Sequence, residues 1–409
     1  MSTLLQIDEP AARPRVPPSL RAFLEMGFRP LYLAGTGWAL LAVALWIFAP
    51  QLLQGPLAGV AWHAHEMMWG YVATIAVGFL MTAGANWTGV NPMPRAVLLA
   101  ACVLWLLARI GLLGHGPAWF WLGFGAEAAF FLLAALAMAR SVYGTRNRRN
   151  YAVPLLLLGL GGSDVLYLLA ALGGDYGLLM QRFNAGLLVM AVIALLVSRR
   201  VIPFFAMRAV PGLQIPMHEK SSWVQLIAGT LAVLFGLLQW SGPQALALAV
   251  AGTQPLWQLW SWQPRAVRRK PLLWILYLGY AGLGLGLLTA AAQAAGAPLR
   301  SAVHVHVIAM AGFSVLIIGM VTRTALGHLG RPLATDRSMV TSYGLVLAAV
   351  LLRLAALHPT VVSGLLLQGA ALCWIGAFAL YLWRFFPWMI RPRPDQPPPV
   401  VTLTAGRKK

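Results

Sequence analysis

The sequence predicts an all-α integral membrane protein of about twelve transmembrane helices with both termini cytoplasmic. Three observations predict it. The 409 residues are 60% hydrophobic and only 10% charged, whereas soluble domains carry about 25% charge. Twelve stretches are apolar over the roughly twenty residues that cross a bilayer at about 1.5 Å per residue. The basic residues alternate between the loops joining those stretches, as cytoplasmic and external loops do.

Taken in order, the spans are 31–50, 63–86, 95–114, 117–139, 151–173, 178–198, 223–241, 243–262, 271–292, 301–322, 338–357 and 360–386. The tight "SGP" turn makes the seventh and eighth a helical hairpin. With the N-terminus inside, the inner loops and tails hold 26 of the 30 basic residues, from Arg13, Arg15, Arg21 and Arg29 to Arg407, Lys408 and Lys409. The outer loops hold Arg300; Arg109, Arg182 and Arg353 lie within spans. A wrong span count would scramble that alternation. The chain therefore divides into a Pro-rich cytoplasmic tail (1–26), one twelve-helix domain (27–390) and a basic cytoplasmic tail (391–409).

A net charge of +20 in a soluble chain would suggest nucleic acid. Here it fits arginine-rich inner loops against anionic lipid, and no nucleic-acid-binding pattern is visible, so no nucleic-acid partner is expected. Cys102 and Cys373 sit inside apolar spans and read as small buried hydrophobes. Absence of C-x-x-C-H excludes covalent c-type haem. No cleaved signal peptide is apparent in the polar, Pro-rich start.

Four of the eight histidines form two His-x-His pairs, His63/His65 and His304/His306. Both pairs start spans that run from outside to inside, so both belong to the outer end of the membrane. Imidazole beside a bilayer core needs a partner, and a metal is a common one. Residues two apart on a helix point about 200° away from each other. Either one member of each pair faces inward, or the pairs sit in irregular turns. One inward histidine from each pair would make a two-helix clamp on a metal, and the other two could hold copper or a second haem, or simply anchor at the interface. A weak echo relates the segments: Gly78 and Gly89 follow His65 at the spacing at which Gly319 and Gly330 follow His306, an offset of 241 residues. Duplication and common packing needs both explain it.

Other charges collect near that level: Glu66, Glu127, Asp164, Arg109, Arg182, Arg300 and Arg353. Intramembrane charges usually face a bundle interior or cavity. They read either as structural ion pairs or as functional groups, the arginines holding haem propionates and Glu66, Glu127 and Asp164 orienting imidazoles or relaying protons. Met67 and Met68 are soft donors close to His65. A second polar cluster on the cytoplasmic side comprises Arg323, His328 and Arg331, Arg199, Arg200 and Arg208, and the Asn86-Trp87-Thr88 turn. Arg323 lies seventeen residues past His306, roughly 25 Å along a helix, so His328 belongs to a separate site, if to any. His115 and His358 read as interfacial and His218 as solvated.

The chain resembles the NnrS family of bacterial membrane proteins over nearly its whole length. The resemblance rests on "GFRPLYL" (27–33), "WHAHEMMWGY" (62–71), "GFLMTAGANWTG" (78–89), "RRVIPFF" (199–205) and "HVIAMAGFSVLIIGMVTRTALGHLGR" (306–331), in that order. It implies a twelve-span protein of the bacterial inner membrane that carries haem b and copper and acts in nitric oxide metabolism, in denitrification or relief of nitrosative stress. His63, His65, Glu66, His306, Arg323 and His328 fall within the family's motifs, while His304 matches them less clearly; motif position thus favours His65 and His306 as the clamp, with His63 and His304 as the other halves.

The expected function is binding of nitric oxide at a buried metal in the outer half of the membrane, with reduction or detoxification by a nitric oxide reductase-like oxidoreductase left open. Reduction would require an electron donor as a partner. A transporter or haem-handling protein is the alternative, and a sensor a third reading.

Overall fold

The computed structural model describes residues 17–54 and 57–395. Parts of the two expected tails, with Arg13, Arg15, Arg407, Lys408 and Lys409, lie outside the described residues. Among the described residues twelve long helices follow one another: α1 (Phe28–Phe48), α2 (Gly59–Thr88), α3 (Arg95–Leu113), α4 (Pro117–Gly144), α5 (Ala152–Gly173), α6 (Tyr176–Ala209), α7 (Glu219–Leu237), α8 (Ser241–Ser261), α9 (Pro271–Ala294), α10 (Ala302–His328), α11 (Arg337–Ala356) and α12 (Ser363–Met389). There is no strand among the described residues. This is the architecture a bilayer demands, because a helix satisfies its backbone hydrogen bonds within itself.

Eleven of the twelve are long and apolar enough to cross a membrane. The exception is α8, which forms where the eighth span was expected but carries Gln244, Thr253, Gln254 and Gln258. Gln258 points inward, where its Oε1 accepts from the Tyr280 hydroxyl at 2.6 Å and its amide donates to Ser221 Oγ at 3.2 Å. The polarity that lowers its hydropathy is thus used between helices.

Helix ends follow local chemistry. Gly89 and Gly174 close α2 and α5 in the left-handed region, at φ 72° and 70°, where a Cβ would be strained. Asp175 then caps α6 by accepting from Leu178 N at 3.0 Å. α6 runs eleven residues past the span expected from hydropathy, carrying Arg199, Arg200 and Arg208 on helix rather than in a loop. Arg200 is held there by Asn150 Oδ1 (2.9 Å) and Arg149 O (3.2 Å).

The helices pack in sequence, α3 on α4, α4 on α5, through to α11 on α12, and α12 returns to α1. Ser19 N donates to Ile390 O at 2.8 Å. The two ends of the described bundle thus meet. α2 and α6 are the most interior helices, 78% and 72% buried over their most apolar stretch. α3 is peripheral. Its exposed Leu99, Val103, Leu106 and Ile110 recur at helical spacing to face lipid, while Leu98, Ala101, Ala108, Arg109 and Leu112 turn inward. Where α9 meets α10, Gly282 and Gly286 lie against the backbone of Ala311 and Ile308, and a Cβ on either would collide with it. Small residues there let the two helices approach closely.

Both histidine pairs are followed at once by an eight-residue π-helical stretch, Glu66–Ala73 in α2 and Val307–Ser314 in α10. Each carries a hydroxyl bonded to the carbonyl five residues back: Thr74 Oγ1 to Trp69 O (3.1 Å) and Ser314 Oγ to Ala309 O (2.8 Å). The two stretches start and end at the same 241-residue offset as the histidines. The sequence echo is therefore also an echo of backbone conformation. π-Helical insertions in α-helices occur frequently at functional sites.

Candidate functional site

The histidines of each pair diverge, as two-residue spacing on a helix requires. His63 and His306 line one cavity in the middle of the bundle, between α1, α2, α6, α10, α11 and α12. His65 and His304 turn away from it. The expected pairing of His65 with His306 is therefore not the one the helices present. His63 and His306 hold different places in their pairs, yet they share the cavity.

That cavity is mostly apolar, and its void, open mouth included, is about 1150 Å³. The His63 ring stacks on Trp46 at 5.1 Å between centroids, 13° from parallel. Its Nδ1 is buried and has no hydrogen-bond partner. His306 donates Nδ1–H to Ala302 O at 2.7 Å, which leaves Nε2 as the nitrogen able to take a ligand. Arg353 is the cavity's one guanidinium, and Met67, Met68, Met180 and Met310 supply thioethers to its walls.

His65 instead joins a cluster built by five helices. Its Nδ1 lies 2.9 Å from Glu66 Oε1. Its Nε2 lies 2.9 Å from Asp164 Oδ1 on α5 and 3.4 Å from Glu127 Oε2 on α4. Arg109 on α3 donates to both Glu66 and Glu127, and Trp38 on α1 donates Nε1–H to Glu66 Oε2 at 2.5 Å. All five charged or titratable members are 2% exposed or less. Trp69 and Tyr167 pack on the imidazole, with centroids 5.4 and 5.9 Å away. Gly70 makes the arrangement possible, since a Cβ there would collide with Arg109, Glu66 and Trp38.

His304 is buried among amides. Its Nδ1 lies 2.7 Å from Gln293 Oε1 and its Nε2 lies 2.9 Å from Asn184 Oδ1. Those atoms line a second, more polar cavity with Gln181 and Gln244. Each pair thus sends one ring to the shared cavity and one to a polar nest, acidic for His65 and amide-rich for His304.

Comparison with known families agrees with the motif order. The family model described as NnrS protein matches residues 22–393, nearly the whole chain. The chain belongs to the NnrS family. No curated protein matches it.

In this NnrS-family chain the remaining charges separate by place. Arg109 is spent on Glu66 and Glu127 and is not on the cavity wall. Arg300 donates to Leu357 O at 3.0 Å at the surface, and Arg182 is half-buried outside the cavity lining. Of the four arginines expected near the outer site, Arg353 alone reaches the cavity. Glu66, Glu127 and Asp164 gather around His65 and do not line the cavity either.

At the other end of α10, Arg323 is buried with its guanidinium 3.9 Å from the centre of the Phe205 ring. His328 packs on Phe28 at 5.5 Å, and Arg331 on Trp388. The Asn86-Trp87-Thr88 turn is explained by packing: Asn147 donates to Trp87 O at 2.6 Å, and Thr88 Oγ1 lies 2.7 Å from Ser141 Oγ. His218 is half-buried rather than solvated, 2.7 Å from Ser261 Oγ and against Trp257.

Sequence reasoning missed Trp38, Trp46, Gly70, Asn184 and Gln293. Asn184 and Gln293 carried a signal, being polar groups inside apolar spans. Nothing in the sequence marks one tryptophan of 17, or one glycine of 41, as a wall of a site.

Proposed function

We propose that this NnrS-family membrane protein binds b-type haem in the His63–His306 cavity and handles nitric oxide there. The observation that carries the reading is the convergence of two imidazoles from different helices on one apolar cavity, one with a buried nitrogen lacking any partner. An unsatisfied buried polar atom costs about 1–3 kcal/mol, and a bound group would relieve it. His63 and His306 would hold the iron, Arg353 would meet a propionate, and the aliphatic walls would exclude water. Haem would supply an iron to which nitric oxide could bind in place of one of the two imidazoles.

Nitric oxide is small and apolar, so it reaches such a cavity through lipid. Binding fits the geometry better than reduction by nearby acids, because Glu66, Glu127 and Asp164 stand outside the cavity. The thioethers of Met67, Met180 and Met310 beside the two histidines also suit copper(I), a soft ion. Copper is therefore the second metal that this donor set fits. Location in a bacterial inner membrane and a role in nitrosative stress belong to the same proposal.

The test is the reduced-minus-oxidised spectrum and haem content of the purified protein. Wild-type protein should show a b-type spectrum that shifts with nitric oxide. His63→Ala and His306→Ala should each lose haem or change its ligation. A wild-type protein without haem, or two variants with unaltered spectra, overturns the reading. Atomic analysis that finds copper and no haem supports the copper occupant instead.

A further inference from the structure

We propose that His65, Glu127 and Asp164 form a separate metal site for one divalent, oxygen-preferring first-row cation, outside the His63–His306 cavity. The three ligand atoms come from α2, α4 and α5 and all lie within 4.8 Å of one another. His65 Nε2 stands 2.9 Å from Asp164 Oδ1 and 3.4 Å from Glu127 Oε2. Ligands at about 2.0–2.2 Å from one ion, at right or tetrahedral angles, sit roughly 3.0–3.5 Å apart. Both separations from His65 are already near that spacing.

Two further observations distinguish it from a group of acidic residues. The first is Glu66. A metal-binding imidazole almost always gives its other ring N–H to a carboxylate or carbonyl. Here Nδ1 faces Glu66 Oε1, and Glu66 is itself fixed by Arg109 and Trp38. With the proton on Nδ1, the Nε2 lone pair points at two carboxylates, an arrangement that a cation between them makes favourable, as a second ring proton would. The second is Asp164 Oδ2, a fully buried carboxylate oxygen with no hydrogen-bond partner.

Charge points the same way. Glu66 and Glu127 meet the Arg109 guanidinium and Asp164 meets His65, so with His65 neutral the ionised carboxylates leave two negative charges in a buried site. Protonating His65 would remove one of them. A divalent cation with neutral His65 removes both, and buried charge is tolerated only when compensated. One imidazole with carboxylate oxygens suits zinc, manganese or iron(II). The thioethers that would favour copper(I) line the other cavity.

The test uses full-length protein purified in detergent after passage over a chelating resin, with haem iron counted separately. Wild type should retain about one equivalent of a divalent metal other than copper. Asp164→Asn and Glu127→Gln should lower it at least fivefold, and His63→Ala should leave it unchanged. X-ray absorption at the edge of that metal in the wild type should show nitrogen and oxygen neighbours without sulfur. Wild type with less than about a tenth of an equivalent, or sulfur in the shell, overturns the proposal even if the variants fail to fold. Metal retained in folded Asp164→Asn also overturns it. Because haem is read on the same samples, loss of this site and loss of the haem reading are distinguishable.

Discussion

Arg109 joins Glu66 to Glu127, so that one guanidinium on α3 ties α2 to α4 in the interior of the bundle. Removing one partner from a buried ionic network costs about 3–5 kcal/mol, because the charges left behind remain buried. Arg109→Ala should therefore sharply lower folded yield and thermal stability in detergent. Arg109→Lys should rescue little, since an ammonium cannot reproduce a fork that meets two carboxylates. Wild-type stability in Arg109→Lys would show that the fork geometry is unimportant.

Gly70 tests the same cluster by size alone. Gly70→Ala pushes a methyl group into Arg109, Glu66 and Trp38, and overpacking of this kind costs about 1–3 kcal/mol. Gly125→Ala on α4 is the control, since nothing lies within 4 Å of a Cβ there and alanine favours helix over glycine by roughly 1 kcal/mol. Thermal unfolding should fall for the first and hold or rise for the second. Equal behaviour of the two would contradict the close packing at Gly70.

Arg353 separates holding a propionate from ligating iron. Arg353→Gln should leave the absorption pattern of the haem intact, because both imidazoles remain. It should weaken haem retention about tenfold or more, since a hydrogen bond to a charged group is worth about 1.5–3 kcal/mol. Haem transfer to apomyoglobin measures this, and an unchanged transfer rate would remove Arg353 from the site.

Acid should loosen the turn before α11. Asp336 caps that helix by accepting from Met339 N at 3.1 Å, and it also binds Ser338 and Arg384. Partial burial raises its pKa, but the hydrogen bonds from Ser338, Arg384 and the Met339 amide outweigh this and hold it below the usual value. A carboxyl depressed in the folded state stabilises above its unfolded pKa, near 3.9. That contribution is lost as pH falls through the lower folded value. The pair is half-exposed and screened, so the cap carries most of the effect, about 1 kcal/mol. Stability should decline below about pH 4 in wild type, and Asp336→Asn should reduce this decline. Identical acid profiles would exclude Asp336 as its source.

The membrane architecture was legible because span length and loop charge are both written in composition. The polar residues of α8 blurred that signal. The importance of the histidine pairs was legible from their rarity in an apolar chain. Which ring faces the cavity was not, because the π-helical stretches after His65 and His306 reset the angular register and leave no trace in hydrophobic periodicity. Arg109 read equally well as a propionate ligand or an ion pair. Only the fold shows Glu66 and Glu127 on either side of it. Trp38 and Gly70 became visible only as neighbours in space.

The π-helical stretch in α2 gives the last prediction its direction. Each residue turns an α-helix by about 100°, and a π-helical stretch accommodates an extra residue within it. Deleting Met67 should let Glu66–Ala73 relax toward α-helix while the Gly89 end stays anchored. Eight π-helical residues turn through about as much as seven α-helical ones, so everything before the deletion should keep its direction, with His63 on the cavity wall and His65 beside Asp164. The deletion variant should therefore keep haem, unlike His63→Ala, and keep the divalent metal, unlike Asp164→Asn. Size-exclusion chromatography should still give a folded peak, because the apolar faces of α2 remain buried in a crowded centre. A folded deletion variant that loses both groups would show that the stretch does not hold one residue more than the α-helix replacing it.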